Sequence, residues 1–437
     1  MKKKAIPFIL LALIVIGFSY LYVRLPIING YAAKNMCSCV FIDGRKPDFV
    51  QKNDLNFSFL KYTQHHIDTA QHFVESSFWG LRPKRAYYNS KLGCALIHST
   101  KNIEQFKNFN FDKKGIKYTE NSDLKIELSD NNELLQQALD NHFANKKINT
   151  KAVLVVHKNK LIAEQYAQGY TTETRFLGWS MAKSITSTLV GILVKEGKIN
   201  IHKTIDEPLW KNDGRREITW HHVLQMSTGI AWEEDYGSIS DVTKMLYTED
   251  DVYKTAIQNK LEFPVGTVFE YSSGSSNILA GQIRKILGND ELYWQYPYRQ
   301  LFAKLGAKSM LLESDAKGTF VGSSYPWGTA RDWAKYGLLY LQNGKWNNEQ
   351  IITKEWVKYT QTPASNSNGK YGAQFWLHTA EEFPDVPSDM YFADGFQGQR
   401  VFIIPSKELV IVRFGLSSNG KVDFNQFIKE VIESLEE

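Results

Sequence analysis

The seven residues GWSMAKS at positions 178–184 decide how the rest of this chain is interpreted. Ser180 and Lys183 are three positions apart, so at the start of a helix they share one face and the amine can approach the hydroxyl. A serine hydroxyl is a poor nucleophile without a base, and a desolvated lysine with a lowered pKa can act as that base. A helix-capping serine followed by a solvent-exposed lysine would show the same spacing. The surrounding sequence therefore has to distinguish these two interpretations.

The secondary structure predicted around this heptapeptide is a sheet with a helical region inserted into it. Short runs rich in branched and aromatic residues, joined by turn residues, predict strand pairs near both ends of the region. Apolar residues at helical spacing follow Ser180. Strands are predicted at 152–156, 161–166, 400–405 and 409–414, and helices at 134–143, from 180 onward and at 425–435. We therefore expect an α/β (α+β) fold, with one antiparallel sheet flanked by helices and a helical subdomain inserted.

Two later motifs make the Ser-x-x-Lys spacing more specific. FEYSSG occupies positions 269–274 after a turn-like PVG, and ADGFQGQ occupies positions 393–399 and leads directly into a strand. With GWSMAKS they resemble the three motifs of the penicillin-binding-protein-like serine hydrolases, the superfamily of class C β-lactamases and esterases. ITWHHVLQMSTG at 218–229 and TARDWA at 329–334 are also similar to this family. The resemblance spans roughly residues 134–415 and implies a β-lactamase/transpeptidase-like fold.

The resemblance also implies a role for each matching residue. Ser180 is expected to be the acylated nucleophile and Lys183 its proton acceptor. Tyr271 is expected within hydrogen-bond reach of Ser180, where it would relay a proton to the leaving group and later activate water. The backbone N–H groups of Ser180 and Phe396 are expected to form the oxyanion hole, in which each donor typically contributes ~3 kcal/mol.

The chain departs from the β-lactamases in two motifs. Their Lys-Thr-Gly, which holds a substrate carboxylate, is replaced by ADG at 393–395, where an acid would be repulsive. Their Tyr-x-Asn is replaced by YSS at 271–273. Both departures resemble the 6-aminohexanoate-dimer hydrolase branch, with its Tyr-x-Ser-Gly and Gly-x-x-Gly-Gln motifs, and WEEDY at 232–236 resembles a substrate loop of that branch. The substrate-binding candidates are Tyr236, for which a packing role is equally open, Ser273, Gly395 and Gln399.

These features predict a serine hydrolase for a small-molecule amide or ester substrate, with no cofactor. The Cys-x-Cys at 37–39 lacks a second ligand pair, so no metal site is expected. The net charge is only +5 and no basic stripe is interleaved with aromatics, so nucleic acid is not an expected partner. Two alternatives stay open, namely a peptidoglycan peptidase or β-lactamase, and a catalytically silent membrane-tethered sensor or binding domain.

The N-terminus predicts a membrane anchor. Three lysines at positions 2–4 precede an uncharged, mainly apolar run at 5–23, bounded by Arg24 and Pro26. About 20 residues suffice for a helix to cross a bilayer. By the positive-inside rule we expect a single pass through the bacterial cytoplasmic membrane, with the catalytic domain on the periplasmic or extracellular side. A signal peptide cleaved near GYA at 30–32 is the alternative.

The rest of the chain is divided by composition. We expect the anchor at 1–26, an N-terminal extension of unknown role at 27–130, and the hydrolase domain at 131–437. The polar stretch at 112–132 is predicted to be a linker or an exposed loop. Outside the cytoplasm one disulfide is plausible, from Cys94 to either Cys37 or Cys39.

Overall fold

The computed structural model describes residues 2–120, 124–127, 132–417 and 422–435, with side chains described from residue 10 onward. These residues group into two compact units. The first unit comprises residues 1–109, 233–252 and 315–317, and the second comprises residues 110–232, 253–314 and 318–437. All three motifs that carry the proposed chemistry belong to the second unit.

The α-helices are α1 (Lys2–Phe41), α2 (Pro47–Asn53), α3 (Thr100–Lys107), α4 (Glu133–Ala144), α5 (Met181–Lys195), α6 (Trp220–Leu224), α7 (Asp241–Tyr247), α8 (Val252–Gln258), α9 (Ser273–Leu287), α10 (Asp290–Pro297), α11 (Ala303–Leu305), α12 (Ala330–Leu341), α13 (Lys354–Thr360) and α14 (Phe424–Glu433). The β-strands are β1 (Thr63–Asp68), β2 (Phe73–Phe78), β3 (Leu81–Asn89), β4 (Gly93–Leu96), β5 (Lys125–Ile126), β6 (Thr150–His157), β7 (Lys160–Tyr166), β8 (Arg175–Leu177), β9 (Leu311–Leu312), β10 (Pro326–Thr329), β11 (Lys345–Trp346), β12 (Glu349–Gln350), β13 (Trp376–Leu377), β14 (Tyr391–Gly395), β15 (Gln399–Ile404) and β16 (Leu409–Gly415).

The second unit contains a seven-stranded sheet in the order β13-β14-β15-β16-β6-β7-β5. The strand pairs from both ends of the region therefore meet in one sheet, as the sequence predicts. All neighbours in it are antiparallel except β5, which pairs in parallel with β7. Because β5 lies inside the stretch predicted to be a linker or loop, that prediction was wrong for residues 125–126.

Successive side chains of a strand point to opposite faces of the sheet. Both faces of β6 and β16 carry buried side chains, and helices cover both faces. Val153, Val155 and Ile411 face a core formed with residues of α4 and α14. Val401 and Val410 face the other side, where α12 packs so closely that a Cβ on Gly337 would lie 2.6 Å from Val410. This is the layered α/β architecture that the sequence predicts.

The first unit is built around α1, which does not end at Pro26. A proline inside a helix leaves the carbonyl four residues earlier without its N–H donor. That carbonyl belongs to Tyr22, and the Arg82 Nη1 atom lies 3.5 Å from it. Beyond Pro26 the helix carries core residues of the unit, with Ala33 and Met36 fully buried. Packing therefore maintains the helix through a residue that would otherwise end it.

The helix α1 lies along the antiparallel sheet β1-β2-β3-β4. The Asn29 Nδ2 atom donates to the carbonyls of Leu81 and Arg82, at 2.9 and 2.7 Å. Twelve residues later, Phe41 stacks on Tyr88 with ring centroids 5.2 Å apart. A disulfide joins Cys37 of α1 to Cys94 of β4, and Cys39 is a buried cysteine outside this disulfide. The part of α1 that follows Pro26 therefore runs alongside strand β3, with Asn29 at the start of the strand and Phe41 near its end.

Candidate active site

The turn that leads from β8 into α5 presents Ser180 at a helix N-terminus. Trp179 has a φ of +49°, a left-handed conformation that non-glycine residues adopt rarely and often at functional sites. Gly178 is tightly enclosed, because a Cβ there would lie 2.6 Å from the Trp333 ring. Ser180 occupies the N-cap position of α5, where the helix dipole favours negative charge.

Lys183 is buried one turn into α5 and its amine lies beside the serine hydroxyl. The Lys183 Nζ atom is 3.1 Å from Ser180 Oγ, 3.0 Å from Ser273 Oγ and 3.2 Å from the Ser323 carbonyl oxygen. These acceptors fix the amine at hydrogen-bond distance from Ser180. A neutral amine in this position could accept the Ser180 proton.

A second layer of polar side chains holds the groups that bind Lys183. Asn277 is fully buried on α9, one turn after Ser273. Its Nδ2 atom donates to the Ser273 carbonyl and to Ser323 Oγ, both at 3.0 Å. Sequence reasoning missed Asn277 and Ser323. The only signal was the run SSGSSN at 272–277, six small or polar residues that open a buried helix.

Tyr271 lies against the same amine. The Lys183 Nζ atom is 4.8 Å from the centroid of its ring. Tyr371 and Trp376 hold the ring, at centroid distances of 5.7 and 5.3 Å. The Lys183 amine therefore lies near Ser180 and also near Tyr271 and Ser273. Ser180 and Lys183 are separated from Tyr271 and Ser273 by about ninety residues in the sequence.

The third motif lies next to the Ser180 turn. Gly395, at the end of β14, approaches the Gly178 carbonyl. The Phe396 ring contacts the Trp179 ring edge-on, with the ring centroids 5.7 Å apart. Gln399 is buried and its amide is used by the backbone. Its Oε1 accepts from the Gly415 N–H at 3.0 Å, and its Nε2 donates to the carbonyls of Phe396 and Gly415 at 2.9 and 2.7 Å. Gln399 thus shapes the loop that presents Phe396.

The acid of the third motif is paired. Asp394 forms a salt bridge with Arg400, the residue opposite it on β15. The Arg400 Nη1 atom also donates to the carbonyls of Gly395 and Gln399, at 3.2 and 3.0 Å. Burial lowers the pKa of Arg400 to about 10, which leaves the guanidinium charged at neutral pH. The repulsion expected from Asp394 is therefore offset by this cation.

Tyr236 is grouped with the first unit rather than with the motifs. It is half-buried, and its hydroxyl donates to Glu234 Oε1 at 3.3 Å. Among the described residues there is no group of three or more His, Cys, Asp or Glu side chains that could hold a metal ion.

Gly395→Ala is expected to lower kcat/KM roughly 10- to 100-fold while the protein stays folded, as for other ångström-scale misplacements. The added Cβ would lie 2.2 Å from the Gly178 carbonyl oxygen and would push β14 away from the Ser180 turn. Gly115→Ala is the control, since its Cβ would meet only the tip of Arg299, at 3.4 Å. Steady-state hydrolysis of a chromogenic ester, with circular dichroism as the check on folding, measures both. Equal activity of the two variants would contradict this placement of Gly395.

Comparison with known proteins identifies the family of this chain. The sequence profile of the family described as Beta-lactamase matches residues 135–425. The 6-aminohexanoate-dimer hydrolase of Paenarthrobacter ureafaciens is 25% identical over 296 residues, which cover 60% of this chain and 72% of that protein.

Solved structures share the fold at lower identity. A family VIII carboxylesterase superposes with a TM-score of 0.56 at 15% identity, covering 70% of this chain and 97% of that one. A penicillin-binding protein from Bacillus halodurans gives 0.53 at 15% identity, covering 69% and 99%. The profile match extends over most of the chain and includes all three motifs, so the chain belongs to the Beta-lactamase family of serine hydrolases.

Proposed function

We propose that this protein is a membrane-anchored serine hydrolase that cleaves small amides or esters through an acyl-enzyme on Ser180. The observation that carries the proposal is the position of the Lys183 amine. It lies 3.1 Å from Ser180 Oγ and is held there by Ser273 and by the Ser323 carbonyl. A lysine so placed can serve as the base that a serine nucleophile requires.

The proposed reaction has two halves. Ser180 Oγ attacks the substrate carbonyl while its proton passes to Lys183, and collapse of the tetrahedral intermediate releases the amine or alcohol, which takes a proton relayed by Tyr271. Water, activated by Tyr271, then attacks the acyl-enzyme, releases the acid and restores Ser180. The backbone N–H groups of Ser180 and Phe396 would stabilise both oxyanions, each donor contributing about 3 kcal/mol.

The substrate class is proposed from the relatives and the third motif. One relative is named a hydrolase of the 6-aminohexanoate dimer and one fold neighbour a carboxylesterase, so small amides and esters are the first substrates to test. Ala393 stands where the β-lactamases carry a lysine. This difference disfavours the peptidoglycan peptidase or β-lactamase alternative.

Anchoring is supported by the exposure of α1. In the described chain one helix is long and apolar enough to cross a membrane, and only 6% of its most apolar window is buried. The lysines at 2–4 would remain cytoplasmic. A Cys37–Cys94 disulfide fits an oxidising compartment on the opposite side.

The test is labelling of the full-length protein in detergent with a fluorophosphonate, followed by peptide mass spectrometry. We expect the adduct on Ser180, together with turnover of p-nitrophenyl acetate or butyrate. Absence of both would favour a catalytically silent sensor or binding domain. Turnover of penicillin without turnover of esters would favour the β-lactamase alternative.

Tyr271→Phe is expected to lower kcat roughly 10²- to 10⁴-fold, the usual contribution of a general acid–base group. The substitution removes only the hydroxyl and keeps the ring between Tyr371 and Trp376. Tyr359→Phe is the matched control, because it removes the same group from a tyrosine whose hydroxyl contacts a different side chain, the His221 Nδ1 atom at 2.9 Å. The measurement is ester hydrolysis by the two variants. If Tyr271 only packs against its neighbours and relays no proton, Tyr271→Phe will be as active as Tyr359→Phe.

A further inference from the structure

The first unit carries a cluster of exposed aromatic side chains at one end of its sheet. Trp79 is 66% exposed, and Phe59 and Tyr62 are each 45% exposed. These rings contact one another directly or through the Phe78 ring between them. The ring centroids of Tyr62 and Trp79 are 6.3 Å apart, and those of Phe59 and Phe78 are 6.4 Å apart. Contiguous exposed apolar side chains of this kind mark interaction surfaces more often than scattered ones do. We call Phe59, Tyr62 and Trp79 the aromatic tip.

The strand register puts the aromatic tip at one end of the sheet. Tyr62 precedes β1, whose first residue Thr63 pairs with Phe78, the last residue of β2. Trp79 and Gly80 form the turn from β2 to β3. The opposite end of the β1–β2 pair is the turn at 69–72, which lies a strand of six residues away, or roughly 20 Å.

The direction of α1 relates these two ends to the apolar run of the helix. The Arg82 guanidinium lies 5.1 Å from the Tyr22 ring centroid, and Asn29 binds the Leu81 and Arg82 carbonyls. At the other end, Phe41 contacts His72 and Tyr88. Asn29 and Phe41 are separated by about 18 Å along the helix axis. The aromatic tip is therefore level with the point where the exposed apolar run ends, and the turn at 69–72 is distant from it.

Cations accompany the aromatic rings at this level. The Arg24 guanidinium covers the Tyr20 ring at 3.5 Å, and the Lys61 amine lies 4.9 Å from the Tyr62 ring centroid. Aromatic side chains with an apolar body and a polar edge, beside arginine and lysine, are typical of the layer between lipid headgroups and acyl chains.

We propose that the aromatic tip inserts into the interfacial layer of the bilayer that α1 spans, on the side where α1 leaves it. The proposal rests on the anchoring proposed above and adds a second lipid contact. The occupant is lipid because the tip continues the exposed surface of α1 at the level of Tyr22, and because Lys61 and Arg82 supply cations for phosphate headgroups. The first unit would then be seated on the membrane as well as tethered to it.

The experiment uses full-length protein in nanodiscs of phosphatidylethanolamine and phosphatidylglycerol. A nitrobenzoxadiazole fluorophore is attached in separate variants to Trp79→Cys, Tyr62→Cys, Gln71→Cys and Val15→Cys. Gln71 is an exposed residue of the distant turn and is the matched control, and Val15 reports on the anchor. Cys39 is buried, and unsubstituted protein treated with the fluorophore gives the background. Quenching is measured with lipids that carry a nitroxide near the headgroup or deep in the acyl chain.

We expect blue-shifted emission at 79 and 62 that headgroup nitroxides quench, and aqueous, unquenched emission at 71. Aqueous emission at 79 and 62 with a deeply quenched label at 15 would overturn the proposal and leave the anchor intact. Blue-shifted emission at 79 and 62 that no lipid nitroxide quenches would overturn it in favour of a protein contact. An unquenched label at 15 would show that the anchoring itself is wrong, and the proposal would fall with it.

Discussion

Ser180→Ala and Lys183→Ala are each expected to lower kcat/KM on the order of 10⁴- to 10⁶-fold, as happens when a nucleophile and its base act as a unit. Without Ser180 no acyl-enzyme can form. Without Lys183 the hydroxyl that it contacts at 3.1 Å loses its proton acceptor. The measurement is hydrolysis of p-nitrophenyl butyrate, with active sites titrated by the fluorophosphonate.

The double variant makes the test sharper. Because each single change abolishes the same step, Ser180→Ala with Lys183→Ala should lose about as much activity as either change alone. Lys195→Ala is the matched control, since Lys195 is the other lysine of α5, is exposed and contacts the Gln350 carbonyl. Activity that survives Ser180→Ala would remove Ser180 from the mechanism. Additive losses in the double variant would show that Lys183 acts on some other group.

Arg413→Met is expected to lower the free energy of unfolding of the second unit by about 3–5 kcal/mol, because several hydrogen bonds from one buried guanidinium are lost together, each typically worth ~1.5 kcal/mol. Arg413 is fully buried on β16. Its Nη1 atom donates to the Gly398 carbonyl at 2.9 Å, and its Nη2 atom donates to Ile148 O and Ser417 Oγ at 2.7 and 2.8 Å. Methionine fills much of the volume but supplies none of these hydrogen bonds, and the Gly398 carbonyl and Ser417 Oγ lose the guanidinium as their donor.

Urea unfolding followed by tryptophan fluorescence measures the loss, because ten of the eleven tryptophans lie outside the first unit. Activity should fall as well, since the Gly398 carbonyl belongs to the loop that carries Phe396. Arg216→Met, a change of the same kind at an exposed position, is the control. An unfolding free energy equal to that of the control would mean that backbone contacts alone hold the loop.

The catalytic sheet could be predicted from the sequence because its strands are short, branched and paired across brief turns. The hairpin at 150–166 and the pair at 399–415 follow this pattern, and their union in one sheet follows from the need to bury both. The first unit was not predicted. Its strand β3 carries Arg82, Lys84 and Arg85 among aromatic residues, so it has no clear alternation. The continuation of α1 past Pro26 depends on tertiary contacts that no local rule contains.

The candidate site was predictable to the extent that motifs carry it. Ser180, Lys183 and Tyr271 stand in patterns specific enough to be recognised, and the structure gathers them. Asn277 and Ser323 could not be found, because their contribution is a pair of hydrogen bonds made far along the chain. The role of Gln399 could not be judged either, since its motif position suggests substrate while its amide serves the backbone. Whether a polar side chain faces substrate or backbone is a property of packing.

The helix α1 also sets where the protein can be divided. Exposure along it changes within two residues, from 55% at Val23 to 1% at Leu25. In the anchored form proposed above, a cut in this interval would remove the apolar run of α1 and leave the core of the first unit intact. A cut eight residues later, near Ala32, would instead remove Asn29 and Gly30, which pack against strand β3 and Tyr247. Proteolytic release and loss of the fold are thus separated by about two turns of one helix.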